Sequence, residues 1–232
     1  MSGTCVLISA GAEWRALTPR YPGIKKENTP FGECFTAPVN QHPVHFLHGG
    51  WGKVAAAAST QYAIDRWYPD RIVNLGTCGG FQGEIEQGAV VLAEKTVVYD
   101  IMDQMCDPDQ AIVHYTVEQD LSWLPTPTPQ LVQQGILASA DRDLFPQAIS
   151  ELKSKYQAIA ADWESGAIAW VAHQNHKPCL ILRGVTDLVG PGDNVAYGNY
   201  RYFEEQCQPL MAAFAQYLPA WLEAFSKAQS PI

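Results

Sequence analysis

Between residues 162 and 190 the chain passes from a helix start to a buried strand and then directly to a polar cluster. That order limits the folds open to it. Residues 165–169 are small and helix-forming, and Asp162 and Glu164 stand just before them, where a helix dipole favours negative charge. Lys177-Pro178 ends the helical pattern. Cys179, Leu180, Ile181 and Leu182 follow, apolar without alternation, as in a strand covered on both faces. Arg183, Gly184, Thr186 and Asp187 come next. An open α/β sheet binds its ligands beyond the carboxyl ends of such strands. Glu164 at a helix start and Arg183, Thr186 and Asp187 at a strand end are therefore expected to share a site.

The rest of the chain repeats this grammar. Residues 6–9 read as a first strand, residues 10–12 as a small-residue turn, and Glu13 as a carboxylate just past the strand end. Glu13 can equally serve only the dipole of the helix that follows. Residues 18–42 read as hairpin and loop, 44–47 as a strand, 48–52 as a glycine turn carrying Trp51, and 53–67 as a helix. Residues 71–74 are a short buried strand, followed by a glycine-rich turn over 75–81. Strand, helix, strand and glycine turn imply a parallel βαβ unit. Backbone N–H groups of Thr77, Cys78 and Gly79 in that turn can face a ribose or an anion, but the spacing is neither GxGxxG nor a P-loop. Residues 88–94, 96–99 and 136–139 read as strands, 100–115 as loop, 140–147 as a loop over a site and 148–156 as a helix. Residues 189–201 read as loop, and 203–225 as a long amphipathic helix interrupted or kinked near Pro209 and Pro219. No repeat or linker divides residues 1–232, so one domain is expected.

Composition narrows the partners. A formal net charge of −9 with no basic stripe argues against a nucleic-acid partner. No stretch reaches the roughly 18 apolar residues of a membrane span. The six cysteines have no metal-ligand spacing, and Cys5 and Cys179 read as buried thiols of a reducing compartment. With no basic leader before the first strand, the cytoplasm is the expected location. His42, His45 and His48 alternate with apolar residues, but no Asp or Glu joins them, so no metal is expected.

Four pieces, in order, carry a resemblance: Ala12-Glu13-Trp14, GGWGKVAAA over 49–57, NLGTCGGF over 74–81, and DWESGAIA with RGVTDLVG over 162–169 and 183–190. Together they resemble the purine nucleoside and uridine phosphorylase superfamily, most of all its 5′-methylthioadenosine/S-adenosylhomocysteine nucleosidases. The resemblance implies a three-layer α/β/α domain with a central mixed, partly closed sheet, assembled as a homodimer or larger. It implies cleavage of a purine nucleoside's N-glycosidic bond with no cofactor or metal. Asp187 matches the family acid at the purine, Glu164 the carboxylate on the ribose hydroxyls, and Glu13 the carboxylate that activates water. Thr77, matching a serine, and Arg183 would help Glu13 hold the nucleophile. Leu144 falls near the residue whose backbone meets the base. Trp163 and Trp51 replace a methionine and a small aliphatic residue, so they would reshape the sugar or 5′ pocket.

The chemistry agrees with these roles. Breaking a glycosidic C–N bond leaves positive charge on the sugar and negative charge on the base. An acid must neutralise the base, and carboxylates stabilise the sugar. Asp187 must hold its proton, so its pKa is expected to rise by burial or through Glu164 nearby. Phosphorylases of the superfamily carry an arginine just before the glycine-rich piece, where this chain has Asn74. A phosphate nucleophile needs convergent cations, so water is the expected nucleophile. The rival readings are a nucleoside phosphorylase, a futalosine-type hydrolase with a bulkier 5′ group, and an inactive nucleoside-binding or storage protein on the same fold.

Overall fold

The computed structural model describes residues 3–105, 107–190 and 196–228. Residues 191–195, within the loop expected over 189–201, lie outside the described residues, as does Cys106.

The first strand, β1 (Thr4–Ile8), is buried throughout. Val6 and Ile8 enter one core and Cys5 and Leu7 another, so helices must cover both faces. On one face lie α1 (Gly11–Leu17) and α6 (Tyr200–Phe225), which bring Trp14, Leu17, Met211, Phe214 and Trp221 to Val6 and Ile8. On the other lie α2 (Gly52–Trp67) and α5 (Ser165–Gln174), which bring Ala63, Ile64, Ile168 and Val171 to Cys5 and Leu7.

Among the described residues the sheet has ten strands. β1 runs parallel to β4 (His42–His48) on one side and to β5 (Arg71–Phe81) on the other. β5 is parallel to β10 (Cys179–Val189), and β10 is antiparallel to β6 (Val90–Val98). β6 is parallel to β8 (Gln133–Ser139), β8 to β9 (Ala158–Asp162), and β9 returns antiparallel to β5. Those five strands close a ring. β1 and β4 extend from it with β3 (Glu33–Val39) and β2 (Glu27–Asn28), while β7 (Val117–Glu118) pairs with β6. This is the mixed, partly closed sheet that the resemblance implied.

Several boundaries differ from the sequence reading. Residues 75–81 form no turn, because β5 continues to Phe81. Its glycines provide room: a Cβ on Gly80 would stand 2.7 Å from Ile85 Cγ2 and 2.8 Å from Val185 Cγ1. Residues 183–187 do not follow the strand but lie inside β10, which ends at Val189. Gly11 and Ala12 begin α1 rather than a turn. The two strands expected over 88–99 are one, β6. The stretch read as loop over 100–115 contains α3 (Pro108–His114), started by a proline at its first position and by the Asp107 carboxylate, which accepts from Asp109 N. The helix expected over 148–156 is α4 (Pro146–Tyr156). Finally, α6 passes both prolines without interruption. An interior proline costs about 3 kcal/mol. Burial of Leu210, Met211, Phe214, Leu218, Trp221 and Phe225, at about 1.5–3 kcal/mol each, outweighs the two.

Candidate active site

Four adjacent parallel strands, β10, β5, β1 and β4, bring their groups to a common edge. β10 carries Arg183 and Asp187, and β5 carries Thr77. β1 leads into α1 with Glu13, and β4 leads into the Trp51 turn. β9 then delivers Asp162 and Glu164 to the same place.

Glu13 sits in the first turn of α1 and is buried. Its Oε2 accepts from Ala10 N at 3.0 Å, so it does serve the helix end. Its Oε1 accepts from Thr77 N at 2.6 Å and from Thr77 Oγ1 at 2.7 Å, which ties β1 to β5. Gly76 is what allows this approach: a Cβ there would stand 3.0 Å from both Glu13 Oε1 and Arg183 Cζ.

Arg183 is fully buried in the middle of β10. Its Nε lies 2.8 Å from Ser165 Oγ and 2.9 Å from Asp162 Oδ2. Nη2 donates to Asn74 Oδ1 at 2.8 Å and Nη1 to the Thr77 carbonyl at 3.3 Å. Glu164 Oε2 is 3.5 Å from Nη2, and Glu13 Oε1 is 3.9 Å from Nη1. Burial opposes its charge, but Asp162, Glu164 and Glu13 outweigh burial and hold the guanidinium protonated. Among these three carboxylates Arg183 stands farthest from Glu13, the one it is expected to help. Its nearest carboxylate is Asp162.

Glu164 precedes α5, yet its side chain does not cap that helix. Asp162 does so, accepting from Ser165 N at 3.2 and 3.3 Å. Glu164 Oε1 accepts instead from Gly52 N at 3.2 Å. Burial pushes the Glu164 carboxyl up to about 8; Arg183 opposes this, and Asp162 and Glu13 reinforce it.

Asp187 follows a bulge. Val185 pairs with Cys78 and Asp187 with Gly79, so Thr186 is an extra residue in β10. Thr186 Oγ1 donates to Asp187 Oδ1 at 2.7 Å and lies 3.3 Å from the Cys78 carbonyl. Burial raises the Asp187 carboxyl above its ordinary range against that hydrogen bond. Glu164 is not among the causes of the rise. Cys78 and Gly79 therefore stand in a paired strand, and the expected turn of backbone N–H groups is not formed.

Trp51 and Trp163 stack on each other, with centroids 5.0 Å apart and planes at 21°. Trp51 is 69% exposed and stands between Gly50 and Gly52, both at positive φ (82° and 84°). Leu144 is buried, and its carbonyl accepts from Tyr197 Oη. The loop it belongs to is tied down by Asp141, whose Oδ1 accepts from Lys53 N at 2.7 Å, and Lys53 in turn pairs with Asp100. A groove of about 670 Å³, lined by Arg20, Tyr21, Val39, Asn40 and Pro219 among others, lies between α6 and the β3–β4 hairpin. None of the cluster's carboxylates lines it.

Sequence reasoning placed Asp162 only as a helix-start residue and Asn74 only as an absent arginine. It missed Ser139 and Ser165. Ser139 Oγ donates to Asp162 Oδ1 at 2.6 Å and accepts from Gly166 N at 2.9 Å, while Ser165 Oγ also donates to Asp162. A serine closing the apolar run of β8 was the available signal.

A protein from Bacillus cereus (strain G9842) named 5′-methylthioadenosine/S-adenosylhomocysteine nucleosidase is 26% identical over 175 residues, 68% of this chain and 74% of that one. Among solved structures, an Arabidopsis thaliana 5′-methylthioadenosine nucleosidase aligns with a TM-score of 0.81 at 22% identity, covering 99% of this chain and 98% of that one. A futalosine hydrolase mutant of Helicobacter pylori aligns at 0.73 and 18% identity, covering 96% and 99%. At these identities the two structures establish a shared fold. The family model described as the phosphorylase superfamily matches residues 5–218, nearly the whole chain, and the chain belongs to that superfamily.

Proposed function

We propose that this chain is a nucleosidase: as one domain over residues 1–232, it hydrolyses the N-glycosidic bond of a purine nucleoside such as 5′-methylthioadenosine or S-adenosylhomocysteine. The observation that carries this reading is the convergence of Arg183 and Asp187 from β10, Glu13 from the first turn of α1 and Glu164 from just after β9, with both glutamates within 4 Å of Arg183. In this reading Asp187, whose carboxyl burial raises above its ordinary range, gives its proton to the purine as the C1′–N bond breaks and the bonding electrons leave with the base. Glu164 holds the ribose hydroxyls. Glu13, fixed by both donors of Thr77, takes a proton from the water whose oxygen bonds to C1′. The proton on Glu13 then returns to Asp187 through solvent, so one water is consumed for each purine released. Leu144, Thr186, Cys78 and Gly79 line the base end. The nucleosidase names of the curated relatives support the activity, and we extend it to a homodimer or larger assembly in the cytoplasm.

A bulkier 5′ group, as in a futalosine-type substrate, is the second reading, and one observation favours it. Trp51 lies in the turn after β4 and Asp187 near the end of β10, with β1 and β5 between those two strands. If the purine meets Asp187, the indole pair faces the 5′ end and offers it a flat aromatic surface.

The test is purine release from methylthioadenosine, S-adenosylhomocysteine, adenosine, inosine and futalosine, each with and without phosphate. Phosphate-independent adenine release supports the proposal. Turnover of futalosine alone moves the substrate to the second reading. Turnover only with phosphate replaces the hydrolase with a phosphorylase, and no release from any of them favours a binding protein.

A further inference from the structure

We propose that Asp162 is the positioning residue of this site: by engaging the Arg183 guanidinium it holds that cation away from Glu13 and Glu164. The inference deepens the nucleosidase reading and rests on it for its catalytic consequence. Three buried carboxylates surround one buried arginine, at 2.9 Å for Asp162, 3.5 Å for Glu164 and 3.9 Å for Glu13. The order of those distances is built into the fold. Asp162 ends β9, where Ser139 of the neighbouring β8 donates to one oxygen and Ser165 N and Oγ to the other. Ser139 is itself oriented by Gly166 N. An anion with this many donors is fixed in place, and Arg183 aligns to it, with Asn74 and the Thr77 carbonyl taking its remaining nitrogens.

The consequence concerns charge. Glu164 is faced by Arg183, Asp162, Glu13 and Gly52 N. With Arg183 bonded most closely to Asp162, less of its charge reaches Glu164 and Glu13, the two carboxylates that would face a sugar becoming cationic. If Asp162 were neutral, the guanidinium would turn to Glu164 or Glu13, both already within 4 Å. The carboxylate it met would become a weaker base, and the other would lose its place beside the cation.

Asp162→Asn tests this with two readouts. The first needs no substrate. An opposite charge brought into contact lowers a carboxyl pKa by about 1–3 units. The pH range over which wild-type stability falls as Glu164 ionises should therefore end at least one unit lower in the variant, read as unfolding midpoint against pH. The second is kcat for purine release, expected to fall about ten- to a hundredfold from the misplaced charge, with the limb of the kcat profile moving to lower pH. Loss of the Asp162 charge alone would also lower Glu164, so a midpoint lowered equally at every pH with neither limb moved would overturn the proposal, and a shift in Ser139→Ala, which keeps that charge, assigns the movement to Arg183. Ser139→Ala, which removes one donor from Asp162, serves where the Asn protein does not fold: a smaller shift in the same direction supports the proposal, and an unmoved limb overturns it. If the wild type releases no purine while the stability limb shifts as stated, the nucleosidase reading fails and the assignment of Asp162 stands.

Discussion

Replacing Asp187 by asparagine separates its chemical part from its structural one. The two side chains match in size, and an amide oxygen can still accept from Thr186 Oγ1, now 2.7 Å from Oδ1. What disappears is a transferable proton. A positioned general acid contributes about 10²–10⁴ in rate, or about 3–5.5 kcal/mol of barrier. Folding stability should move the other way. Burial holds the Asp187 carboxyl above its ordinary range, so the folded state binds that proton more tightly than the unfolded chain does. Wild-type stability therefore declines as pH rises from about 4 toward the folded pKa. Asparagine has no charge to desolvate, so the variant should be at least as stable as wild type at pH 7 and should lack this part of the decline. The assays are purine release at saturating nucleoside and urea unfolding at pH 5 and pH 7. A kcat within about tenfold of wild type would refute the acid role. A loss of more than about 1 kcal/mol at pH 7 would refute the account of the buried neutral carboxyl.

Two further outcomes follow from the same geometry. Glu164, pushed by burial up to about 8, should cost wild-type stability as pH rises from about 4 to 8. The unfolding midpoint of Glu164→Gln should therefore gain on wild type across that range and level off above it, and a constant difference would contradict the assignment. Gly76→Ala would place a methyl in overlap with Arg183 Nη1, its closest neighbour, and 3.0 Å from Glu13 Oε1 and Arg183 Cζ, all held by buried bonds. It should lower stability by about 1–3 kcal/mol, seen as a reduced urea midpoint, and a wild-type midpoint would show that the arginine can yield.

Glu13, Glu164, Arg183 and Asp187 were legible because each interrupts or adjoins an apolar run. Their partners were not legible. Which carboxylate meets Arg183 depends on the β5–β10 and β8–β9 registers, and those registers bring Asn74, Ser139 and Asp162 together from three separate stretches. Strand lengths failed for a related reason. A charge ordinarily ends a buried strand, yet β10 continues through Arg183 and Asp187 because the Arg183 charge is balanced by carboxylates inside the core and burial favours the acid form of Asp187. The glycines of β5 suggested a turn, whereas Gly76 lets a guanidinium and a carboxylate approach the backbone and Gly80 leaves room for Ile85 and Val185. The purine, ribose and water roles were carried by the family resemblance alone, since the residues by themselves specify an acid, a sugar carboxylate and a base without saying which is which.

The same commitment of Arg183 bears on the nucleophile. A phosphate dianion needs convergent cationic donors, and among the described residues Arg183 is the cation in contact with these carboxylates. All three of its nitrogens are occupied. Asn74, in place of the arginine that phosphorylases carry, adds no charge: its Oδ1 accepts from Arg183 and its Nδ2 donates to the Leu7 carbonyl at 3.1 Å. To bind phosphate, Arg183 would have to leave Asp162 buried and unpaired, which costs about 3–5 kcal/mol. The dianion would then also stand beside Glu13 and Glu164. A neutral water meets neither penalty. Purine release should therefore be unchanged by added phosphate, and saturable stimulation by phosphate would show that Arg183 can leave Asp162 after all.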